Sequence, residues 1–181
     1  MLLSETCDDQ TDNHALSKFR ILVLCTGNSA RSIMAEVIFN IVGADIFQAY
    51  SAGSHPTGIA NPLALEQIRG LNLPTDIRVH SKSWKEFSGP DAPELDLLLT
   101  VCDNAAAETC PSFSGDYQHI HWGFPDPAGS SDNLDDERDA FARCFSEIKL
   151  RVEGLVSRIS ATDTKGSICR AIEKAHGNSE E

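Results

Sequence analysis

The sequence predicts an α/β fold in which helices cover both faces of a parallel sheet. Two short runs, Phe19 to Leu24 and Leu95 to Val101, have the nearly continuous apolar composition of strands buried on both faces. Between them, Ile33 to Val42 carries apolar side chains in pairs at helical spacing, which predicts a helix that Gly43 ends as a C-cap. Strands and helices that alternate in this way are joined by right-handed crossovers, which place helices on both faces of the sheet.

Shorter signals predict two more strands and a second helix. Phe47 to Ala52 and Tyr117 to Trp122 have the composition of strands. Asn61-Pro62 is a favoured pair of N-cap and first helical residue, so we expect a helix from there to Gly70.

Two helical turns and one long helix complete the pattern. Trp84 to Phe87 is expected to form a turn against the core, and the alanine-rich segment after Cys102 a second one, capped by Asp103 or Asn104. The long helix starts near the acidic residues 135–137, as the helix dipole favours. Its apolar stripe, which places one cysteine in the core, consists of Phe141, Cys144, Phe145, Ile148, Val152, Leu155, Val156 and Ile159.

These elements define one domain over residues 19–161. Residues 1–18 are polar and acidic, and we expect them to be a flexible extension in which Cys7 has no special role. Residues 162–181 are polar again and are expected to be a C-terminal tail, either loose or with a weak appended helix, that contains Cys169.

Charge and composition exclude several classes of function. The net charge of -12 argues against a nucleic acid or an anionic membrane as partner, because both need a basic surface. The polar N-terminus does not resemble a signal peptide, and no apolar run has membrane-spanning length. We therefore expect a reducing, cytoplasmic location, where the six cysteines are more often catalytic or metal-binding than paired in structural disulfides.

Three reactive side chains lie in the segments that follow predicted strands. In parallel α/β sheets, ligands bind at the carboxyl ends of the strands, near the point where the strand order reverses. Cys25, Cys102 and Asp126 all lie just beyond predicted strand ends. We expect them to meet at one edge of the sheet.

The loop between the first strand and the first helix predicts an oxyanion site. Its successive backbone N–H groups can form an anion nest at the positive end of the following helix. Gly27 and Asn28 tolerate the positive φ angles that such a loop needs, and Arg31 supplies a planar, bidentate donor. The predicted oxyanion-binding residues are Thr26, Gly27, Asn28, Ser29, Ala30 and Arg31.

The same loop predicts a nucleophilic thiolate. The anion nest and Arg31 would lower the pKa of Cys25, and the Ser32 hydroxyl could donate a hydrogen bond to it. A buried cysteine at a strand end is usually inert, but that interpretation leaves the glycine, asparagine, arginine and serine without a purpose. A nucleotide-binding P-loop is excluded because its Gly-Lys-Ser/Thr ending is missing. His119 and His121 alternate along a strand with no partner at ligand spacing, so no metal site is expected.

Several motifs resemble one family. The Cys-x5-Arg-Ser loop and the late Asp-Pro resemble the low-molecular-weight protein tyrosine phosphatases, and most closely the arsenate reductases with that fold, over roughly residues 19–160. The motifs are Leu24-Cys25-Thr26-Gly27-Asn28-Ser29, Met34-Ala35-Glu36, Ser51-Ala52-Gly53, Thr100-Val101-Cys102-Asp103-Asn104 and His121-Trp122-Gly123-Phe124-Pro125-Asp126-Pro127-Ala128. The resemblance implies a three-layer fold with a four-stranded parallel sheet, and no bound metal or organic cofactor.

The resemblance also implies roles for individual residues. Cys25 would attack arsenate, for which phosphate or sulfate would be analogues, and Asp126 would protonate the leaving oxygen. Cys102 would resolve the thiol–arsenate adduct and expel arsenite. Cys110 could then take over the disulfide as Cys102–Cys110.

The electron donor implied by the resemblance stays open. Thioredoxin-coupled relatives often have a cysteine where this chain has Ala30, and the seven residues between Cys102 and Cys110 exceed their best-known spacing by one. The external reductant could be glutathione with glutaredoxin, mycothiol or thioredoxin, so the expected transient protein partner is glutaredoxin or thioredoxin.

Two other functions fit parts of the pattern. A protein tyrosine phosphatase would share Cys25, Arg31 and Asp126, but such phosphatases typically carry an aromatic residue where this chain has Ala128. A non-catalytic anion sensor would leave the nucleophile, the arginine and the acid without a joint purpose.

Overall fold

Four parallel strands form one sheet in the structure, a computed structural model that describes residues 17–71, 73 and 78–176. The strands, in the order β2-β1-β3-β4 across the sheet, are β1 (Phe19–Cys25), β2 (Phe47–Gly53), β3 (Leu97–Thr100) and β4 (Gln118–His121). The predicted α/β fold with a parallel four-stranded sheet is thus confirmed. Cys7 and the extension up to residue 16 lie outside the described residues.

Among the described residues, five α-helices and one 3₁₀ turn accompany the sheet. They are α1 (Arg31–Val42), α2 (Pro62–Arg69), the 3₁₀ turn Trp84–Phe87, α3 (Asp103–Ala107), α4 (Leu134–Val156) and α5 (Lys165–His176). Within those residues, no helix is long and apolar enough to cross a membrane.

The strand order creates the switch point at which ligands bind in such sheets. After β1 the chain adds β2 on one side of it, and then returns to place β3 on the other side. Leu24 of β1 lies beside Thr100 of β3, so the chain leaves both strands at the same edge. Cys25 ends β1 at this edge, and Cys102 lines the cavity that opens there.

Alternate side chains of β1 pack into two different layers. Ile21 and Val23 are fully buried in a large cluster with α1, α4 and α5, whereas Leu22 and Leu24 belong to a smaller cluster on the opposite face. This alternation explains the continuous apolar run, because each face of the strand needs its own apolar residues.

Local capping follows the sequence in α2 but not in α3. The Asn61 side chain accepts a hydrogen bond from the Leu63 backbone N–H at 2.8 Å, as predicted. In α3 the prediction of Asp103 or Asn104 as cap is wrong: Cys102 occupies the N-cap position without a side-chain cap, and Asp103 is the first helical residue.

The polar side of α1 is not a solvated face. Asn40 exchanges two hydrogen bonds with the backbone of Ala49 in β2, at 2.8 and 2.9 Å. Gly43 does end the helix, but with φ -109° instead of a left-handed conformation. Glycine is needed there for space, since a Cβ would lie 2.4 Å from the Phe47 ring.

The C-terminal segment contains helix α5 over Lys165–His176, and residues 177–181 lie outside the described residues. In α5, Ile168, Cys169 and Ile172 are buried in the main core. The Trp122 indole N–H donates to the Ile172 carbonyl at 3.0 Å. The expectation that Cys169 lies in a polar tail is therefore wrong, whereas the predicted burial of Cys144 is confirmed.

Candidate active site

The loop from β1 to α1 holds the Cys25 thiol in a polar cage. Cys25 is 6% exposed. Its Sγ lies 2.8 Å from the Ser32 hydroxyl and accepts a hydrogen bond from the Asn28 backbone N–H at 3.2 Å. The structure thus brings together the predicted thiol and the predicted hydroxyl donor.

The buried Asn28 side chain stabilises this loop through hydrogen bonds. Asn28 has a φ of 40°, the left-handed conformation predicted for the loop, whereas Gly27 does not adopt it. The fully buried Asn28 amide donates to Ser32 and Ser51, both at 2.9 Å, and accepts from the Lys82 backbone N–H at 2.6 Å. Each polar atom of the side chain is therefore satisfied, as burial requires.

The end of β2 lets the loop approach closely. A Cβ on Gly53 would lie 2.5 Å from the Thr26 carbonyl oxygen and 3.0 Å from the Asn28 backbone nitrogen. Only glycine therefore fits at this position.

A buried ion pair continues the hydrogen-bond chain away from the thiol. The Ser51 hydroxyl donates to Glu36, whose carboxylate pairs with the Lys82 ammonium at 2.9 Å. Their side chains are 13% and 8% exposed. Burial raises the pKa of Glu36, and the neighbouring Lys82 opposes that rise. This support was not predicted from the sequence.

Burial sets the direction of the thiol pKa. It raises the pKa of Cys25 above its ordinary value, and the nearby Cys102 adds to the rise, whereas the hydrogen bonds from Ser32 and Asn28 lower it. The prediction of a lowered pKa for Cys25 is therefore wrong, because burial outweighs the hydrogen bonds of the loop. The sequence shows the donors but not how completely the strand end is removed from water.

Arg31 joins the loop to the segment that carries Asp126. Its guanidinium donates to the Asp126 carboxylate at 2.6 Å and to the Phe124 carbonyl at 2.9 Å. The arginine side chain is 13% exposed and the aspartate 54%. Arg151 of α4 lies 4.5 Å from the centre of the Phe124 ring and so packs against the same segment.

A cavity of about 440 Å³ opens beside these groups. It is lined by Arg31, Cys102, Asp103, Asn104, Gly123, Phe124, Pro125 and Asp126. A cation, a thiol and a carboxylic acid therefore face one small polar space, which suits a compact oxyanion.

The second thiol lies close to the loop. Cys102 is 4% exposed, and its Sγ lies 3.9 Å from the Thr26 hydroxyl oxygen. That hydroxyl donates to the Glu108 carboxylate at 3.2 Å. Glu108 was missed by sequence reasoning, since nothing in the alanine-rich segment before it indicates a carboxylate that turns back to the loop.

The third thiol lies apart from the cavity. Cys110 is half-buried against the smaller core cluster and is not among the residues that line the 440 Å³ cavity. Burial raises its pKa, and the charge of Glu108 raises it further.

His119 and His121 of β4 interact with each other and with neighbouring polar side chains. His121 contacts Thr100 at 2.9 Å and Asp103 at 3.2 Å, and burial lowers the pKa of His119. Among the described residues, no group of three or more histidine, cysteine or acidic side chains could hold a metal ion.

Comparisons with known proteins identify the family. Residues 20–166 match the family model described as low molecular weight phosphotyrosine protein phosphatase. An arsenate reductase of Staphylococcus aureus (strain Newman) is 34% identical over 143 residues, which cover 79% of this chain and 100% of that protein.

Solved structures agree with this assignment. An arsenate reductase from Archaeoglobus fulgidus is similar with a TM-score of 0.54 and 28% identity, over 76% of this chain and 99% of that one. A low molecular weight phosphotyrosine phosphatase from Vibrio cholerae, with a TM-score of 0.54 and 21% identity over 77% of this chain and 94% of that one, shows the fold alone. The chain therefore belongs to the low molecular weight phosphotyrosine protein phosphatase family, and the relatives that it matches in sequence include arsenate reductases.

Proposed function

We propose that this protein is an arsenate reductase that forms a covalent Cys25–arsenate adduct and resolves it with Cys102. One observation carries the proposal: a second buried thiol, Cys102, lines the same cavity as Arg31 and Asp126. Hydrolysis of a phosphate ester needs only the first thiol, the arginine and the acid. Only reduction uses a second thiol.

The first step is displacement at arsenic. The loop amides and the Arg31 guanidinium hold the oxyanion. The oxyanion replaces the Asp126 carboxylate as the hydrogen-bond acceptor of Arg31 Nη2. The Cys25 thiolate forms the S–As bond, and one arsenate oxygen leaves as water after Asp126 protonates it. Arsenic remains As(V) in this adduct. The hydrogen bonds from Ser32 and Asn28 favour the thiolate and oppose the burial that raises the pKa of Cys25.

The second step is reduction. The Cys102 thiolate attacks the Cys25 sulfur, so that the S–S bond forms as the S–As bond breaks. The bonding pair of the S–As bond stays on arsenic, which leaves as arsenite, As(III). The two thiolates supply the two electrons and become a disulfide.

An external thiol must then restore both cysteines. Cys110 can take over the disulfide from Cys25 only after α3 rearranges, because its side chain now packs against the smaller core cluster. We propose glutathione with glutaredoxin, mycothiol or thioredoxin as the donor, and a reducing cytoplasm as the location.

A tyrosine phosphatase remains the second candidate, because the family match and the trio Cys25, Arg31 and Asp126 serve both reactions. The experiment that separates them measures arsenate-dependent NADPH oxidation, with thioredoxin and glutaredoxin systems supplied separately, beside hydrolysis of an aryl phosphate. Oxidation of NADPH with either system supports reduction. Phosphotyrosine hydrolysis without arsenate reduction by any thiol donor, mycothiol included, would favour the phosphatase.

A further inference from the structure

Resolution of the adduct needs a proton acceptor for Cys102. The thiolate is the nucleophilic form of cysteine, so the thiol proton must leave before or during the attack, and an ordinary cysteine has a pKa of about 8.5. Cys102 is almost completely buried at the end of β3, where bulk water has little access to its proton. The residues around it should therefore provide a route for that proton.

One hydrogen-bond chain leads away from the Cys102 thiol. Its Sγ lies 3.9 Å from the Thr26 hydroxyl, and the only proton of that hydroxyl points to Glu108 Oε1 at 3.2 Å. Because Thr26 uses its proton on Glu108, it can only accept at Cys102. The chain is therefore directional, from the thiol through the hydroxyl to the carboxylate.

We propose that Glu108, acting through the Thr26 hydroxyl, orients and deprotonates Cys102 for its attack on the Cys25 adduct. This inference rests on the proposed function, since a hydrolytic enzyme would have no use for a Cys102 thiolate. As the S–S bond forms, the thiol proton passes to Thr26 Oγ1, and the hydroxyl proton passes to Glu108. The S–As electron pair leaves with arsenite, and the carboxyl group keeps the proton.

The transfer must accompany bond formation. A carboxylate is a much weaker base than a thiolate, so proton transfer before the attack would be unfavourable. When the S–S bond forms in the same step, the negative charge does not remain on the Cys102 sulfur, and proton transfer to the carboxylate becomes favourable, as in general-base catalysis.

The Glu108 carboxylate also influences Cys110. Its negative charge disfavours a thiolate at Cys110 before the attack. Once Glu108 has taken the proton it is neutral, and this opposition ends. Cys110 thus becomes easier to ionise after Cys102 has reacted, which places the two thiols in order.

Other ionisable groups surround Cys102 and enter its pH dependence. They are Cys25, which is electrostatically coupled to it, and the cavity residues Arg31, Asp103 and Asp126, together with His121, which contacts Asp103. The Thr26 hydroxyl donates to Glu108, so removal of this carboxylate tests the proposed route.

The test is single-turnover arsenite formation by the full chain without reductant, followed from pH 6 to 9, with aryl phosphate hydrolysis measured on the same samples. In Glu108→Gln, we expect the ratio of arsenite formation to phosphate hydrolysis to fall about 10²-fold at neutral pH, within the usual range for general-base catalysis. The remaining rate should rise toward alkaline pH, because the attack then depends on hydroxide and solvent to remove the thiol proton. Glu108→Asp should recover part of the rate, and Thr26→Val should show the same alkaline shift.

Glu94→Gln is the matched control, because it removes one exposed carboxylate near the opposite end of β3. An unchanged rate and pH profile in Glu108→Gln would overturn the relay, and so would an equal loss of both activities. A wild-type chain that hydrolyses the aryl phosphate and forms no arsenite would instead overturn the proposed function.

Discussion

The guanidinium of Arg31 lies 2.6 Å from the Asp126 carboxylate and binds it through Nη2. In the proposed mechanism, an oxyanion competes with that carboxylate for the same donor. The pair would therefore hold the acid beside the loop and also weaken oxyanion binding.

Asp126→Asn should separate these two effects. Loss of the proton donor should lower kcat for an aryl phosphate by about 10²-fold or more, the usual contribution of general acid catalysis. Phosphate should bind several-fold more tightly as a competitive inhibitor, because the amide no longer neutralises Arg31. Steady-state kinetics and the phosphate inhibition constant check both effects, and a weaker inhibition by phosphate would contradict the competition.

Cys102→Ser should separate hydrolysis from reduction. Formation and hydrolysis of a phospho-cysteine need only Cys25, Arg31 and Asp126, so we expect aryl phosphate turnover to persist. Multiple-turnover arsenate reduction should be lost, because no second thiol attacks the adduct. Arsenite production measured over many enzyme equivalents tests this assignment, and continued turnover would exclude Cys102 as the resolving thiol.

Ser32→Ala should make the Cys25 thiolate harder to form. The Ser32 hydroxyl is 2.8 Å from the sulfur and lowers its pKa against the effect of burial. A hydrogen bond to a charged group contributes about 1.5–3 kcal/mol. The pH profile of iodoacetamide inactivation should therefore shift to higher pH. Ser29→Ala, in the same loop, is the comparison, and equal shifts in both variants would show a general effect on the loop.

Lys82→Met should destabilise the fold in a pH-dependent way. Breaking a buried ion pair typically costs about 3–5 kcal/mol, because the remaining charge is left unpaired. Burial raises the pKa of Glu36, so the native state binds its proton more tightly than the unfolded chain does, and stability falls as pH rises from the ordinary value of about 4.3 through the raised native value.

Loss of Lys82 should raise that native pKa further and extend the window upward. Urea unfolding should therefore show a larger loss at pH 8 than at pH 5. Glu36→Gln combined with Lys82→Met should recover much of the stability, since no buried charge then remains. A pH-independent loss in the single variant would contradict this account.

Most of the fold follows from local patterns. The continuous run in β1, the paired apolar residues of α1 and the Asn61 cap each depend on neighbours within a few residues, and a parallel sheet then requires helical crossovers. The edge at which Cys25 and Cys102 meet is also predictable, since parallel strands end on the same side. Helix α5 was harder to predict because its short apolar stripe becomes stabilising only against Trp122 and the main core.

By itself, the sequence determined the chemical groups of the site: a thiol, a loop of potential amide donors, an arginine, an acid and a second thiol. Only the tertiary structure decided how strongly each is removed from water and which partner it meets. Burial raises the pKa of Cys25 despite its donors, and Lys82 reaches Glu36 across the molecule. Glu108 reaches Thr26 although 82 positions separate them. Desolvation and long-range contacts depend on how whole elements pack together, and no local pattern of residues records them.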